Sequence, residues 1–142
     1  MGAMKPVSNN LVETCLRNIL KEEEFKLNPK RGNGERGVDI IASKGGVSHY
    51  IEVIGAKKQG PARSKDFYEG FFRTVSRLND GAKNCALALP DSFGKGMNRR
   101  VKQHFEAWKR IGAAFPELEI WLVDINNRTY QRYAWAKLAK GV

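Results

Sequence analysis

Apolar residues recur at helical spacing in three segments of the chain. These segments cover residues 9–23, residues 64–79, where Ser64 can cap the amino end, and residues 97–113. In each segment the apolar positions return every three or four residues, so they line one face of a helix and leave the other face polar. The pattern predicts three amphipathic helices, with Phe105 among the residues of the third that face inward.

Short runs rich in β-branched and aromatic residues lie between these helices and predict strands. They cover residues 38–43, 47–54, 85–89, 119–124 and 128–133, with a weaker candidate at residues 24–28. The sequence Lys-Gly-Gly between the first two runs is a hairpin signal. Because helices alternate with strands along the chain, the order predicts an α/β layer fold with a mixed β-sheet flanked by helices.

The length and composition describe one globular domain. The chain has 142 residues, of which 42% are apolar and 28% charged, enough to bury a sizeable core. Residues 1–4 are interpreted as a cloning remnant followed by a second start, and residues 5–142 as a single domain. No apolar run approaches the ~20 residues of a bilayer span, and no basic and apolar leader precedes the first helix. We therefore expect a cytoplasmic protein without a membrane partner.

The charge balance points to an anionic partner. Lysine and arginine number 25 against 15 aspartate and glutamate residues, a formal net charge of +10. Such an excess in a small domain favours association with a polyanion such as nucleic acid. The alternative is that cations spread along the chain only keep it in solution.

Two carboxylates interrupt the apolar sequence of the predicted hairpin. Asp39 lies one residue into its first strand, and Glu52 lies near the end of its second. A carboxylate among Ile and Val is costly unless it is paired, hydrogen-bonded or metal-bound. Side by side, the two acids suit Mg²⁺ (or Mn²⁺), with the carbonyl of Val53 as a further ligand and water or phosphate oxygens completing the shell. The alternative is a pair of acids near strand ends that reach solvent.

The sequences GVDII (residues 37–41) and YIEVIG (residues 50–55), followed by a helix, resemble the PD-(D/E)XK nuclease superfamily. The resemblance covers residues 11–123 and includes the order of helix, hairpin, helix and strand. It implies the restriction-endonuclease-like three-layer fold of that superfamily, which includes Holliday-junction resolvases and repair nucleases. It also implies metal-dependent hydrolysis of DNA phosphodiester bonds in restriction, repair or recombination.

The resemblance assigns roles to individual residues. Asp39 matches the metal-binding aspartate of the superfamily, and Glu52 matches the acid of its ExK motif. Glu13 stands where many members carry a further metal-binding glutamate on the first helix. Arg73 falls near the position from which some members direct a glutamine or a basic residue at the phosphate.

One position departs from the superfamily pattern. The motif lysine, two residues after the acid, is replaced by Ile54, and alternate strand residues share one face. Loss of such a donor costs about 3–4 kcal/mol of transition-state stabilisation. Lys57 or Lys58 in the following loop is the candidate replacement, because a lysine stem is long and flexible. Alternatively, Ile54 marks a relative that binds nucleic acid without cutting it.

Basic residues around the predicted site are candidates for phosphate contacts. They lie in the Gly-rich loop before the hairpin and near the start of the second helix: Arg31, Arg36, Arg63 and Lys65. Such contacts supply affinity and salt dependence rather than sequence choice. Our leading interpretation is a metal-dependent DNA nuclease, and the alternative is a catalytically inactive nuclease-like binding module.

A third interpretation involves no nucleic acid. The chain would then be a small interaction domain that forms a homodimer through an edge strand or through the basic tail around Trp135. Trp135 is also a candidate for stacking on a nucleobase. This interpretation ranks last, because it leaves the acid pair and the net charge without a role.

Overall fold

A computed structural model describes residues 6–32 and 37–139 of the chain. Its helices are α1 (Asn9–Glu22), α2 (Gly60–Val75), α3 (Gly94–Gln103), α4 (Phe105–Ala114) and α5 (Trp135–Leu138). Its strands are β1 (Lys26–Leu27), β2 (Ile40–Lys44), β3 (Val47–Val53), β4 (Cys85–Pro90), β5 (Leu118–Asp124) and β6 (Thr129–Ala134). Short 3₁₀ turns follow α2 (Ser76–Asp80) and precede α3 (Asp91–Phe93).

The six strands form one mixed sheet in the order β1-β2-β3-β4-β5-β6. The hairpin β2–β3 is antiparallel, as are β1–β2 and β5–β6, whereas β3, β4 and β5 run parallel. Parallel neighbours need long crossovers, and α2 and the pair α3–α4 supply them. The predicted α/β class with a mixed sheet flanked by helices is confirmed.

Helices cover both faces of the sheet. On one face, α1 packs its buried stripe against alternate residues of the central strands, including Ile51 and Val53. On the other face, α2 to α5 enclose a second core that includes Ile54, Phe67 and Trp108. Because side chains alternate along a strand, β3 turns Ile51 and Val53 to α1, and Glu52 and the following Ile54 to α2.

Two helices differ from the predicted boundaries. The second begins at Gly60 rather than Ser64, since Pro61 is tolerated in a first helical turn, where backbone N–H groups lack helical partners. The predicted helix over residues 97–113 is two helices, because His104 leaves helical geometry at φ −120° and ψ 37°. This break turns Phe105 outward, with 38% of its surface exposed, so the prediction that it faces inward is wrong.

The carboxyl-terminal segment completes the second core. Trp135 is 3% exposed, and its ring stacks on Trp108 at a centroid distance of 3.8 Å. Each indole N–H donates to the other residue's backbone carbonyl. In the monomer Trp135 therefore packs inside the fold rather than presenting a stacking surface. Among the described residues, no helix has the length and apolar character to cross a membrane.

Candidate functional site: an acid pair among arginines at the sheet edge

Asp39 and Glu52 meet at one edge of the sheet. Ile40 at the start of β2 pairs with Ile51 of β3, so the antiparallel register carries Asp39 to the position opposite Glu52. The Asp39 carboxylate accepts a hydrogen bond from the backbone N–H of Val53 at 2.9 Å. This bond lets an aspartate side chain continue the strand pairing where β2 begins.

Glu52 is buried between two arginines. Its side chain is 4% exposed, and its two carboxylate oxygens lie 3.6 Å from Arg73 Nε and 3.6 Å from Arg77 Nε. Burial and, after it, repulsion from Asp39 raise the pKa of Glu52 to about 7, against the opposing pull of the two arginines and Arg31. Near neutral pH the carboxyl is therefore divided between its protonated and charged forms.

Asp39 is held by cations from two directions. Its Oδ1 lies 2.6 Å from Arg31 Nη2, and Arg31 Nε donates to the Val38 carbonyl at 2.9 Å. The Asp39 backbone carbonyl accepts from Arg17 Nη2 at 2.8 Å. Charge-assisted bonds of this kind are short and directional, so these arginines orient the chain that leads into β2.

Glu13 pairs with Arg17, the arginine that binds the Asp39 backbone carbonyl. Its carboxylate pairs with Arg17 Nε at 2.8 Å, and Arg17, which is buried, also donates to the backbone carbonyl of Asn28 at 2.6 Å. Glu13 thus orients Arg17 rather than joining Asp39 and Glu52. In residues 6–32 and 37–139, no group of three or more His, Cys, Asp and Glu side chains is placed to hold a metal ion.

The oxygen ligands at the acid pair are of the type that binds a divalent cation. Asp39 and Glu52 supply carboxylate oxygens, the ligands that Mg²⁺ prefers, and Mg²⁺ commonly binds through one or two carboxylates plus water and phosphate oxygens. The N–H of Val53 already donates to the Asp39 carboxylate, and the Val53 carbonyl stays a predicted further ligand. The two carboxylates are therefore suitable ligands for a hard cation. A cation bound to Asp39 Oδ1 would have to displace Arg31 from it.

Ile54 occupies an apolar site on the same face of β3. It is 3% exposed and belongs to the core beneath α2. A Cβ added at Gly70 of α2 would lie 3.0 Å from both Ile54 Cγ2 and Leu87 Cδ1. The helix therefore approaches so closely that the isoleucine side chain is enclosed, and the position that the resemblance assigns to a lysine is apolar.

The loop between β3 and α2 pairs Lys57 with an acid of α2 rather than with Glu52. Lys57 Nζ lies 3.3 Å from the Asp66 carboxylate of α2, with its side chain 64% exposed. The backbone carbonyls of Lys57 and Lys58 accept bonds of 3.0 and 2.7 Å from Arg63 Nη1. Arg63 therefore braces this loop, and Lys65 is exposed one turn into the helix. Arg36, the remaining predicted phosphate contact, lies outside the described residues.

Arg77 and Arg17 are site residues that sequence reasoning missed. Arg77 follows Arg73 by four residues and Arg17 follows Glu13 by four, and residues at this spacing share one side of a helix. That spacing was a usable signal for both. The partner of Arg77 was not visible in it, because Glu52 lies 25 residues earlier, on β3.

Comparisons of this chain with protein-family models, curated proteins and solved structures found no match. The resemblance to PD-(D/E)XK nucleases therefore stays a prediction carried by the hairpin motif. The structure itself shows the α/β fold with its six-stranded mixed sheet.

Proposed function

We propose that the protein hydrolyses phosphodiester bonds of DNA with a divalent cation held by Asp39 and Glu52. The observation that carries this proposal is the buried position of Glu52 opposite Asp39 at the sheet edge. Burial and mutual repulsion are unfavourable for two carboxylates, and a site that accepts this cost gains from a cation.

The surrounding arginines support a phosphate substrate. The Arg73 side chain is 41% exposed although the Nε that faces Glu52 is buried, so the rest of the side chain is open to solvent. A guanidinium presents donors in a fork that matches phosphate oxygens. In the proposed function Arg73 exchanges part of its contact with Glu52 for the substrate phosphate. Arg31 makes the equivalent exchange at Asp39, where its bond to the carboxylate is formed at a partly exposed side chain.

A bound cation would neutralise charge on the phosphate and lower the pKa of an attacking water. The residues of the chain bind and orient around it. Asp39 and Glu52 hold the cation, Arg17 and Glu13 maintain the position of the Asp39 backbone, and Arg73 contributes the positive charge that a motif lysine contributes in the superfamily.

Cleavage of labelled duplex, single-stranded and four-way-junction DNA tests the proposal in Mg²⁺, in Mn²⁺ and in EDTA. We expect cutting that requires metal and falls by about 100-fold or more in Asp39→Asn and in Glu52→Gln. Glu119→Gln is a matched control, because Glu119 also lies in a strand and pairs with an arginine, Arg132 at 2.8 Å. Cutting that persists in EDTA, or in both site variants, would contradict the proposal.

A catalytically inactive nucleic-acid-binding module is the second candidate. The observation that favours it is the enclosed, apolar site of Ile54 where the family lysine stands. This function predicts DNA binding by the unaltered protein without cleavage in any metal, and an affinity that Asp39→Asn leaves unchanged. Lys57→Gln and Lys58→Gln separate the candidates further, since loss of metal-dependent cutting in either variant would identify a replacement lysine.

A further inference from the structure

One face of α3 carries only positive charge. Lys95, Arg99 and Lys102 are exposed and follow one another at intervals of four and three residues, which places them in a single stripe. The opposite side of the helix carries the buried residues Met97 and Val101. The sequence of α3, GKGMNRRVKQ, contains no acidic residue, so no carboxylate within the helix neutralises the stripe.

The topology brings α3 to the same edge of the sheet as the acid pair. Strands β3 and β4 are parallel neighbours, and their carboxyl ends therefore share one edge, where ligands of open α/β sheets commonly bind. Glu52 lies near the carboxyl end of β3. Helix α3 starts after the short turn that follows β4. A hydrogen bond of 3.2 Å from Arg100 Nη2 to Ser64 Oγ joins α3 to the first turns of α2.

Arg100 shows that cations are crowded at this junction. Its guanidinium lies over the rings of Phe67 and Phe93 at 5.2 and 5.4 Å, and its Nε is buried without a hydrogen-bond partner among the described residues. Burial lowers the pKa of Arg100, Tyr68 opposes this shift, and the nearby charges of Arg99 and Arg63 add to it. An anion bound close to this junction would relieve the repulsion between these like charges.

We propose that the stripe of Lys95, Arg99 and Lys102 binds the phosphate backbone of the DNA whose cleavage is proposed above. The inference rests on the proposed function for the identity of its partner. The stripe extends about 10 Å along the helix axis, which corresponds to about three phosphates of one strand of a duplex. It therefore supplies a contact surface at the sheet edge that the sequence analysis did not identify.

Binding of a fluorescein-labelled DNA duplex of about 20 base pairs, measured by anisotropy in EDTA, tests the stripe without cleavage. The triple variant Lys95→Gln, Arg99→Gln, Lys102→Gln is compared with the unaltered protein at salt concentrations from about 50 to 250 mM. We expect the Kd to rise at least about tenfold, and the slope of log K against log salt to flatten by about 2 to 3, because each phosphate contact contributes close to one unit.

A second triple variant, Lys21→Gln, Lys26→Gln, Lys83→Gln, removes the same charge from exposed residues at the opposite edge of the sheet. We expect it to leave the salt slope unchanged. Equal weakening in both triples would show that net charge alone governs binding and would overturn the inference, as would an unchanged slope in the stripe variant. Duplex binding that depends on the stripe but is never followed by cleavage in Mg²⁺ or Mn²⁺ would refute the nuclease and leave the stripe in place.

Discussion

Two adjacent sites on the face that β3 turns toward α2 are built in opposite ways. At Glu52 the space between strand and helix contains a carboxylate and two guanidinium groups. At Ile54, two residues further, it contains only apolar atoms, because Gly70 lets the helix approach within contact of the isoleucine. The comparison shows that helix–strand separation decides which chemistry fits, since long arginine side chains need room that the Gly70 contact removes.

The difference also explains why the positive charges beside Glu52 are arginines from the helical side rather than a lysine on the strand. A lysine on the strand would have to occupy the enclosed position of Ile54. Arg73 and Arg77 instead reach Glu52 from the helix side, one turn apart along the chain. A buried carboxylate is tolerated when hydrogen bonds or opposite charges replace water, and here the second element supplies them.

The substitution Ile54→Lys is expected to have the largest effect on this comparison. It places an ammonium group where the side chain is 3% exposed and surrounded by core residues, so we expect the free energy of unfolding to fall by about 3–5 kcal/mol. Urea denaturation measures it, with Ile54→Met as a control that keeps volume and polarity and costs less than about 1.5 kcal/mol. Stability equal to that of the unaltered protein would show that the ammonium reaches Glu52 or solvent.

The pH dependence of the free energy of unfolding measures the cost of burying a charged carboxylate at Glu52. Burial and Asp39 raise the pKa of Glu52 from 4.5 to about 7, so between these values the folded chain binds a proton more tightly than the unfolded chain. The free energy of unfolding therefore decreases as pH rises through this window, by about 3 kcal/mol in total, and then levels off.

The variant Glu52→Gln removes this titration. Urea denaturation at about pH 5 and about pH 8 compares it with the unaltered protein, and the difference between the two proteins isolates Glu52 from all other titrating groups. We expect the decrease from the lower to the higher pH to be smaller in the variant. Parallel pH profiles would mean that the carboxyl of Glu52 does not carry a raised pKa.

The smallest expected effects come from replacing, one at a time, the two arginines that contact Glu52. Arg77 is 18% exposed and is also held by Asp80 at 2.9 Å, whereas the Arg73 side chain is 41% exposed, so solvent competes for the part of it beyond the buried Nε. At about pH 8 we expect Arg77→Gln to lower the free energy of unfolding by about 1–2 kcal/mol and Arg73→Gln by less than about 1 kcal/mol. An equal or larger loss in Arg73→Gln would show that Arg73, despite its exposure, stabilises Glu52 at least as strongly as Arg77.

Short-range patterns were sufficient for most of the fold and for the acid pair. The helical and strand periodicities and the tight Lys-Gly-Gly reversal are properties of neighbouring residues, and the reversal sets the register that brings Asp39 opposite Glu52. The same reliance on neighbouring residues hid the break at His104. Helical spacing continues across it at Met97, Val101, Phe105 and Trp108.

The sequence by itself therefore determined the α/β class, the mixed sheet and the meeting of two acids at its edge. Only the tertiary structure decided that Glu52 contacts Arg77, that Glu13 turns to Arg17, and that Ile54 lies enclosed under Gly70. The physical reason is that periodicity reports which face a residue takes within its own element. The partner on that face depends on how closely a second element packs, which is set by side chains far away in the chain.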